Sequence, residues 1–196
     1  MKINTLGYVM ILLMVIIMIK MYYDSEAYQL KCIISDIDGN TYCVRERHKL
    51  ELAANLLAET TVKMKKLVHH MKKEYPNRNN VKRLVKNFRP HKIVETLPTS
   101  QYTAYSENKG EKIAFCLNTT KGGNDLIEPN TLTFVALHEL GHIATESIGH
   151  TEEFWNNFKF IIEEAVKINI YQPVDYKKEP KSYCGMTIND NPYFDM

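Results

Sequence analysis

At 196 residues and 44% hydrophobic, the chain has enough material for one compact domain with a real core. A formal net charge of +2 singles out neither a nucleic acid nor an acidic partner. Cys32, Cys43, Cys116 and Cys184 contain no CxxC pair, which excludes a zinc knuckle and a redox motif.

The first informative segment is the N-terminus. Leu6 to Ile19 holds nothing polar except Tyr8, and the apolar stretch Ile3 to Tyr23 is 21 residues long. As a helix it spans about 30 Å, the thickness of a bilayer core. Tyr22 and Tyr23 fall where an interfacial belt belongs. A cleaved signal peptide is the competitor, with small residues at Ser25 and Ala27, but the run Lys20 to Asp24 fits a cleavage region poorly. Residues 1–23 are therefore read as a single-pass membrane anchor. Lys2 before the segment against Lys20 and Lys31 after it leans the following domain toward the cytosolic side.

Residues 24–46 are expected to be a polar, irregular linker with a turn at Asp36–Gly39. A calcium loop is dismissed because the later acidic positions are missing. Cys32 and Cys43 could pair across this loop in an oxidising compartment, and all four cysteines are equally compatible with buried or free thiols.

Periodicity predicts a long helix from Leu50 to Glu74, with Leu52, Leu56, Leu57, Met64, Leu67, Val68 and Met71 on its buried side. A shorter helix follows over Asn80–Asn87, ended by Pro90. From Lys63 to Lys92 there are eleven Lys and Arg residues against the single acid Glu74. Such a stretch can contact DNA phosphates or anionic lipid head groups. It equally describes the solvated face of two amphipathic helices, and the lack of interleaved aromatics weakens the nucleic-acid case. Gln101–Ser106 and Lys112–Leu117 read as strands joined by a turn at Glu107–Gly110. The second strand is a candidate for pairing with an extended substrate. Residues 118–130 read as a polar loop, opening on the sequon Asn118-Thr119-Thr120.

The chemistry lies in the next segment. After a predicted N-cap at Asn130-Thr131, apolar residues at helical spacing surround His138-Glu139-Leu140-Gly141-His142, an HExxH motif. Residues i and i+4 share one helix face, so both imidazoles can reach one ion. Glu139 sits beside them as a general base for a metal-activated water. Catalytic zinc takes three protein ligands. A metzincin pattern is excluded, because Thr145 stands where glycine is required and no histidine follows at the spacing. Glu163 or Glu164 could serve as in a gluzincin. His150 is favoured, because Gly149 breaks the chain before it and Phe154 follows in an H-x-x-x-F pattern that would pack the ligand. A helix over Thr151–Lys167 follows.

The segments Glu107–Leu117, Leu137–His142 and His150–Phe154 together resemble the WLM family of zinc metallopeptidases, over roughly residues 48–168. These are relatives of the SprT-like proteases that degrade proteins crosslinked to DNA. The resemblance implies an α+β, zincin-like core, Zn2+ as cofactor, His138, His142 and His150 as ligands and Glu139 as base. It thus implies a peptidase acting on protein or peptide substrates, over a domain at 47–168. Two alternatives stand beside it: a catalytically inactive zinc-stabilised binding domain, and a protease acting on DNA-bound proteins. The tail, 169–196, is expected to wrap back over the core and line the cleft. There a tyrosine such as Tyr183 could polarise a substrate carbonyl, or Cys184 could occupy the open metal position.

Overall fold

Elements that the sequence predicts from strong periodicity form with almost the expected bounds. A computed structural model of the chain describes residues 5–195. The first four residues of the expected anchor, Lys2 among them, lie outside the described residues, as does Met196. The chain is α+β. Helix α1 (Thr5–Tyr23) buries no side chain against the protein. It is long and apolar enough to cross a membrane, a property that a signal sequence shares.

The span expected to be a linker is instead part of the fold. After a single helical turn, α2 (Glu26–Gln29), β1 (Leu30–Ile34) and β2 (Thr41–Arg45) form an antiparallel hairpin. Its turn closes with Gly39 N–H donating to Ser35 O at 3.0 Å, and Gly39 takes a φ of 70° that favours glycine. Cys32 and Cys43 face each other across the ladder and are disulfide-bonded. Tyr42 and Val44 alternate inward onto the long helix, a period-2 signal that the polar neighbours mask. Arg45, also buried, donates from Nε to Thr96 O at 2.7 Å and ion-pairs with the buried Glu95, as does Arg47.

Helix α3 (Leu50–Glu74) has the predicted bounds, but Leu52 is 58% exposed and lies off the buried face. Helix α4 (Asn79–Asn87) packs Val81 and Leu84 into the core. The sheet holds three strands in the order β3 (Ile93–Glu95), β5 (Lys112–Phe115), β4 (Ala104–Glu107). β3 pairs in parallel with β5, and β4 antiparallel. β5 is thus the central strand, with Ile113, Ala114 and Phe115 buried, and β4 is an edge. The expectation that β5 offers a free edge to substrate is therefore overturned, because both its sides are paired.

Helix α5 (Pro129–Ala144) starts one residue before the predicted cap. Pro129 occupies its first turn, where a missing N–H costs nothing. Asn130 instead exchanges two hydrogen bonds with the backbone of Gln172, tying down the tail. Helix α6 (Glu152–Lys167) is capped by Thr151, whose hydroxyl accepts from Phe154 N–H. It crosses α5 at Gly141, where a Cβ would meet Phe154 Cε2 at 3.2 Å and Phe158 Cβ at 3.3 Å. The tail does fold back. β6 (Lys181–Tyr183) and β7 (Met186–Ile188) form a hairpin whose turn residues, Cys184 and Gly185, donate to Asn118 O and Thr119 O. Cys184 is disulfide-bonded to Cys116.

Candidate metal centre

Two of the three imidazoles come from one face of α5 and the third from the start of the next segment. His138 and His142 are one turn apart, and Gly149 at φ 84° reverses the chain so that His150 returns over them. His138 Nε2 lies 3.1 Å from His142 Nε2 and 3.0 Å from His150 Nε2. One ligand atom from each residue falls within 4.8 Å of the others. Three nitrogens on one tetrahedral ion at about 2.0–2.1 Å would lie about 3.3 Å apart, so this donor set fits a metal ion. Phe154, fully buried, stacks on the His142 ring at 4.3 Å and meets the other two rings edge-on at 4.8 Å.

Electrostatics keep the two imidazoles of α5 neutral. Burial, then the neighbouring histidines, pushes His138 down to about 3. Burial, then His150 and Lys109, takes His142 to about 4. Neutral imidazole is the form that binds metal. Glu139 is 4% exposed, and its Oε2 has no hydrogen-bond partner among the described residues. Burial pushes its carboxyl up to about 8.

The gluzincin alternatives lie elsewhere. Glu164 is bonded to His70 Nε2 at 2.6 Å and Tyr75 Oη at 2.7 Å, which joins α6 to α3. Glu163 is exposed and outside the histidine group. Cys184 is held in its disulfide, so it is not a spare metal ligand. Tyr183 does line the site beside Glu139, but its hydroxyl donates to Thr103 O at 3.1 Å and so steadies the approach to β4.

The cluster opens into a cleft of about 860 Å³. β4 and the residues before it form one wall, and Tyr183 and β7 the other. Tyr102, Tyr105, Phe134, Met186 and Ile188 make the lining mainly apolar, and Ile148, 89% exposed, stands at its mouth. Asp190 also lines it and is paired with Lys177 at 3.0 Å.

Sequence reasoning missed the residues that set the loop before His150. Glu153 accepts from the N–H groups of Glu146 and Ser147, both at 3.0 Å, which holds its carboxyl down at about 2. Lys109, in the β4–β5 turn, donates to three carbonyls around the end of α5. The Asn-x-Gly pattern at Asn108–Gly110 marked the turn but carried no sign of this reach.

The basic run is amphipathic. Lys63 pairs with Glu59 at 2.8 Å, Lys65 with Asp38 at 3.9 Å, Lys92 with Glu111 at 4.0 Å, and Arg83 with Glu146. Lys66, Lys72, Lys73, Lys82 and Lys86 are exposed, while Leu67, Met71 and Leu84 are buried. Asn118, the sequon asparagine, is 2% exposed and bonded to Arg47 and Gly123 O, so the folded chain leaves no room there for a glycan.

No family model matches the chain, and no solved structure matches it. The chain is 32% identical over 82 residues to the uncharacterized protein 136R of Invertebrate iridescent virus 6, covering 41% of this chain and 44% of that protein. It is 37% identical over 59 residues to the uncharacterized protein 042R of Invertebrate iridescent virus 3, covering 30% and 36%. With the uncharacterized protein R325 of Acanthamoeba polyphaga mimivirus it shares 31% identity over 171 residues, 85% of each chain. Across that length and at that identity, this chain belongs to the same family as the mimivirus protein R325.

Proposed function

We propose that the chain is a zinc-dependent metallopeptidase with a zincin-like core of the WLM kind, attached to a membrane by α1. The observation that carries the reading is Glu139. A structural metal site has no use for a buried carboxylate with one oxygen unpartnered among the described residues, set beside three converging imidazoles, and a hydrolytic site requires one.

His138, His142 and His150 hold the ion, and Phe154 fixes their rings. Zinc, when bound, supplies the Lewis acidity that makes water nucleophilic near neutral pH and balances charge on the carbonyl oxygen. A divalent cation nearby favours ionised Glu139 despite its burial. Glu139 accepts the proton that the attacking water gives up and passes it to the departing amine. The substrate lies extended along the β4 edge and meets an apolar cleft. Of the charged groups that line the cleft, Lys109 and Asp190 are already engaged, which favours bulky aliphatic or aromatic side chains next to the scissile bond. Two disulfides favour the oxidising side of the membrane over the cytosolic side to which the lysine count leans.

Metal analysis of the purified protein beside three variants tests this reading. Wild type and Glu139→Gln are expected to carry one zinc per chain, with peptide hydrolysis lost in the variant. His150→Ala is expected to lose zinc and Glu164→Ala to keep it. The reverse pattern for the last two, or full hydrolysis by Glu139→Gln, refutes the assignment.

A further inference from the structure

The loop Thr145–Gly149 carries the chain from α5 to the third imidazole, and charged side chains from three other elements hold it. Glu153 of α6 takes the N–H groups of Glu146 and Ser147. Arg83 of α4 donates to Ala144 O at 2.8 Å. Lys109 Nζ donates to Ser147 O at 2.6 Å, Thr145 O at 3.1 Å and His142 O at 3.4 Å. One ammonium therefore bridges the carbonyl of the second histidine and a residue three positions before the third.

The turn that presents Lys109 is costly. Lys109 takes a φ of 58°, a left-handed conformation that disfavours most side chains by about 1–2 kcal/mol, whereas Asn108 before it, at 45°, is of a type that tolerates it. Glycine would adopt it freely. Gly110 then wedges against the helices, where a Cβ would stand 2.8 Å from Asn87 O and 3.1 Å from Ile143 Cδ1. The turn is thus locked to α4 and α5, and Lys109 is half-buried with its amine aimed at the end of the motif helix. A lysine at a position suited to glycine points to a use for the side chain.

From this geometry we propose that Lys109 is a positioning residue for the metal: its ammonium fixes the spacing between His142 and His150, so that the third ligand is in place before the ion arrives. The inference rests on reading the histidine cluster as a metal site. Lys109 touches neither substrate nor ion in this role and acts through the backbone of the two ligands. Arg83 and Glu153 hold the same loop from other sides, so losing Lys109 slackens the loop without unfolding the domain.

The test uses the full-length chain in detergent, with zinc affinity from chelator competition and the visible spectrum of the Co2+-loaded protein. Lys109→Met is expected to weaken zinc about 10- to 100-fold, as loss of an outer-shell partner does, while the metal-free melting temperature stays within a few degrees of wild type. Its Co2+ spectrum should differ from that of wild type, with weaker visible bands as the third imidazole disengages. Lys109→Arg, which keeps the cation, is expected to recover most of the affinity. Zinc affinity within about twofold of wild type, or an unshifted Co2+ spectrum, overturns the proposal. Should Lys109→Met fail to fold, Lys109→Gln decides by the same two readouts, with wild-type values overturning it. Wild type that binds no stoichiometric zinc overturns the metal-site reading as well, whereas zinc bound equally by wild type and the Lys109 variants removes this inference alone.

Discussion

Glu139→Gln is expected to stabilise the metal-free protein, and to do so more as pH rises. The side chain is 4% exposed with one oxygen unpartnered, and burial raises its carboxyl from 4.5 to about 8. A raised folded-state value means that the folded chain holds a proton that the unfolded chain has released. The associated stability is fully present below pH 4.5 and is lost as pH climbs through 8. The full shift corresponds to a loss of about 4 kcal/mol by pH 8, and relaxation and water in the cleft reduce this to roughly 2–4. Glutamine has nearly the same shape and does not titrate, so its curve lacks this arm. For a chain of this size the gap amounts to about 5–15 °C in melting temperature at pH 8, and it closes near pH 4.5. The low values of His138 and His142 make stability fall as pH drops below 6.5, but both proteins share that arm and it cancels. Thermal melts by circular dichroism with chelator present, at pH 5 and pH 8, measure the difference. A gap of equal size at both pH values refutes the reasoning. Added zinc should narrow the gap, because a cation beside Glu139 favours its ionised form.

Two further outcomes follow from the packing. Gly141→Val places methyl groups where even a Cβ meets Phe154 and Phe158 at 3.2–3.3 Å, so overpacking of about 2–3 kcal/mol should outweigh any gain in helix propensity. Denaturant melts check it, and an unchanged or higher midpoint contradicts it. Replacing Cys116 and Cys184 together by serine opens a loop with a separation of 68 residues, worth up to about 4 kcal/mol on chain entropy. Because this disulfide holds the β6–β7 wall of the cleft, peptide KM should rise while kcat is largely kept, and an unchanged KM counts against the cleft assignment.

The parts of the molecule legible in the sequence are those with local causes. The bounds of α3 match because apolar residues recur on one face over seven turns. The three histidines meet because a helix period sets the first two and a single glycine turn sets the third. What escaped is non-local. β3 is three residues long and exists only by pairing with a strand some twenty residues away. The Cys116–Cys184 bond requires knowing that the tail returns to β5. The β1–β2 hairpin escaped for a different reason, since its inward residues Tyr42 and Val44 sit among charged neighbours that satisfy Glu95 and Thr96 in the folded state. Leu52 shows the converse error, an apolar residue at helical spacing with nothing to pack against.

The hairpin that replaces the expected linker also sets how far the domain could travel from a membrane. Between Tyr23 and Leu30 only six residues remain, four of them wound into α2. Even fully drawn out, six residues span about 20 Å. With α1 in a bilayer, the cleft is leashed within a shell only slightly deeper than the domain itself. Targets would then be selected first by address, as chains exposed at the surface of that same membrane, and only afterwards by the side chains they present.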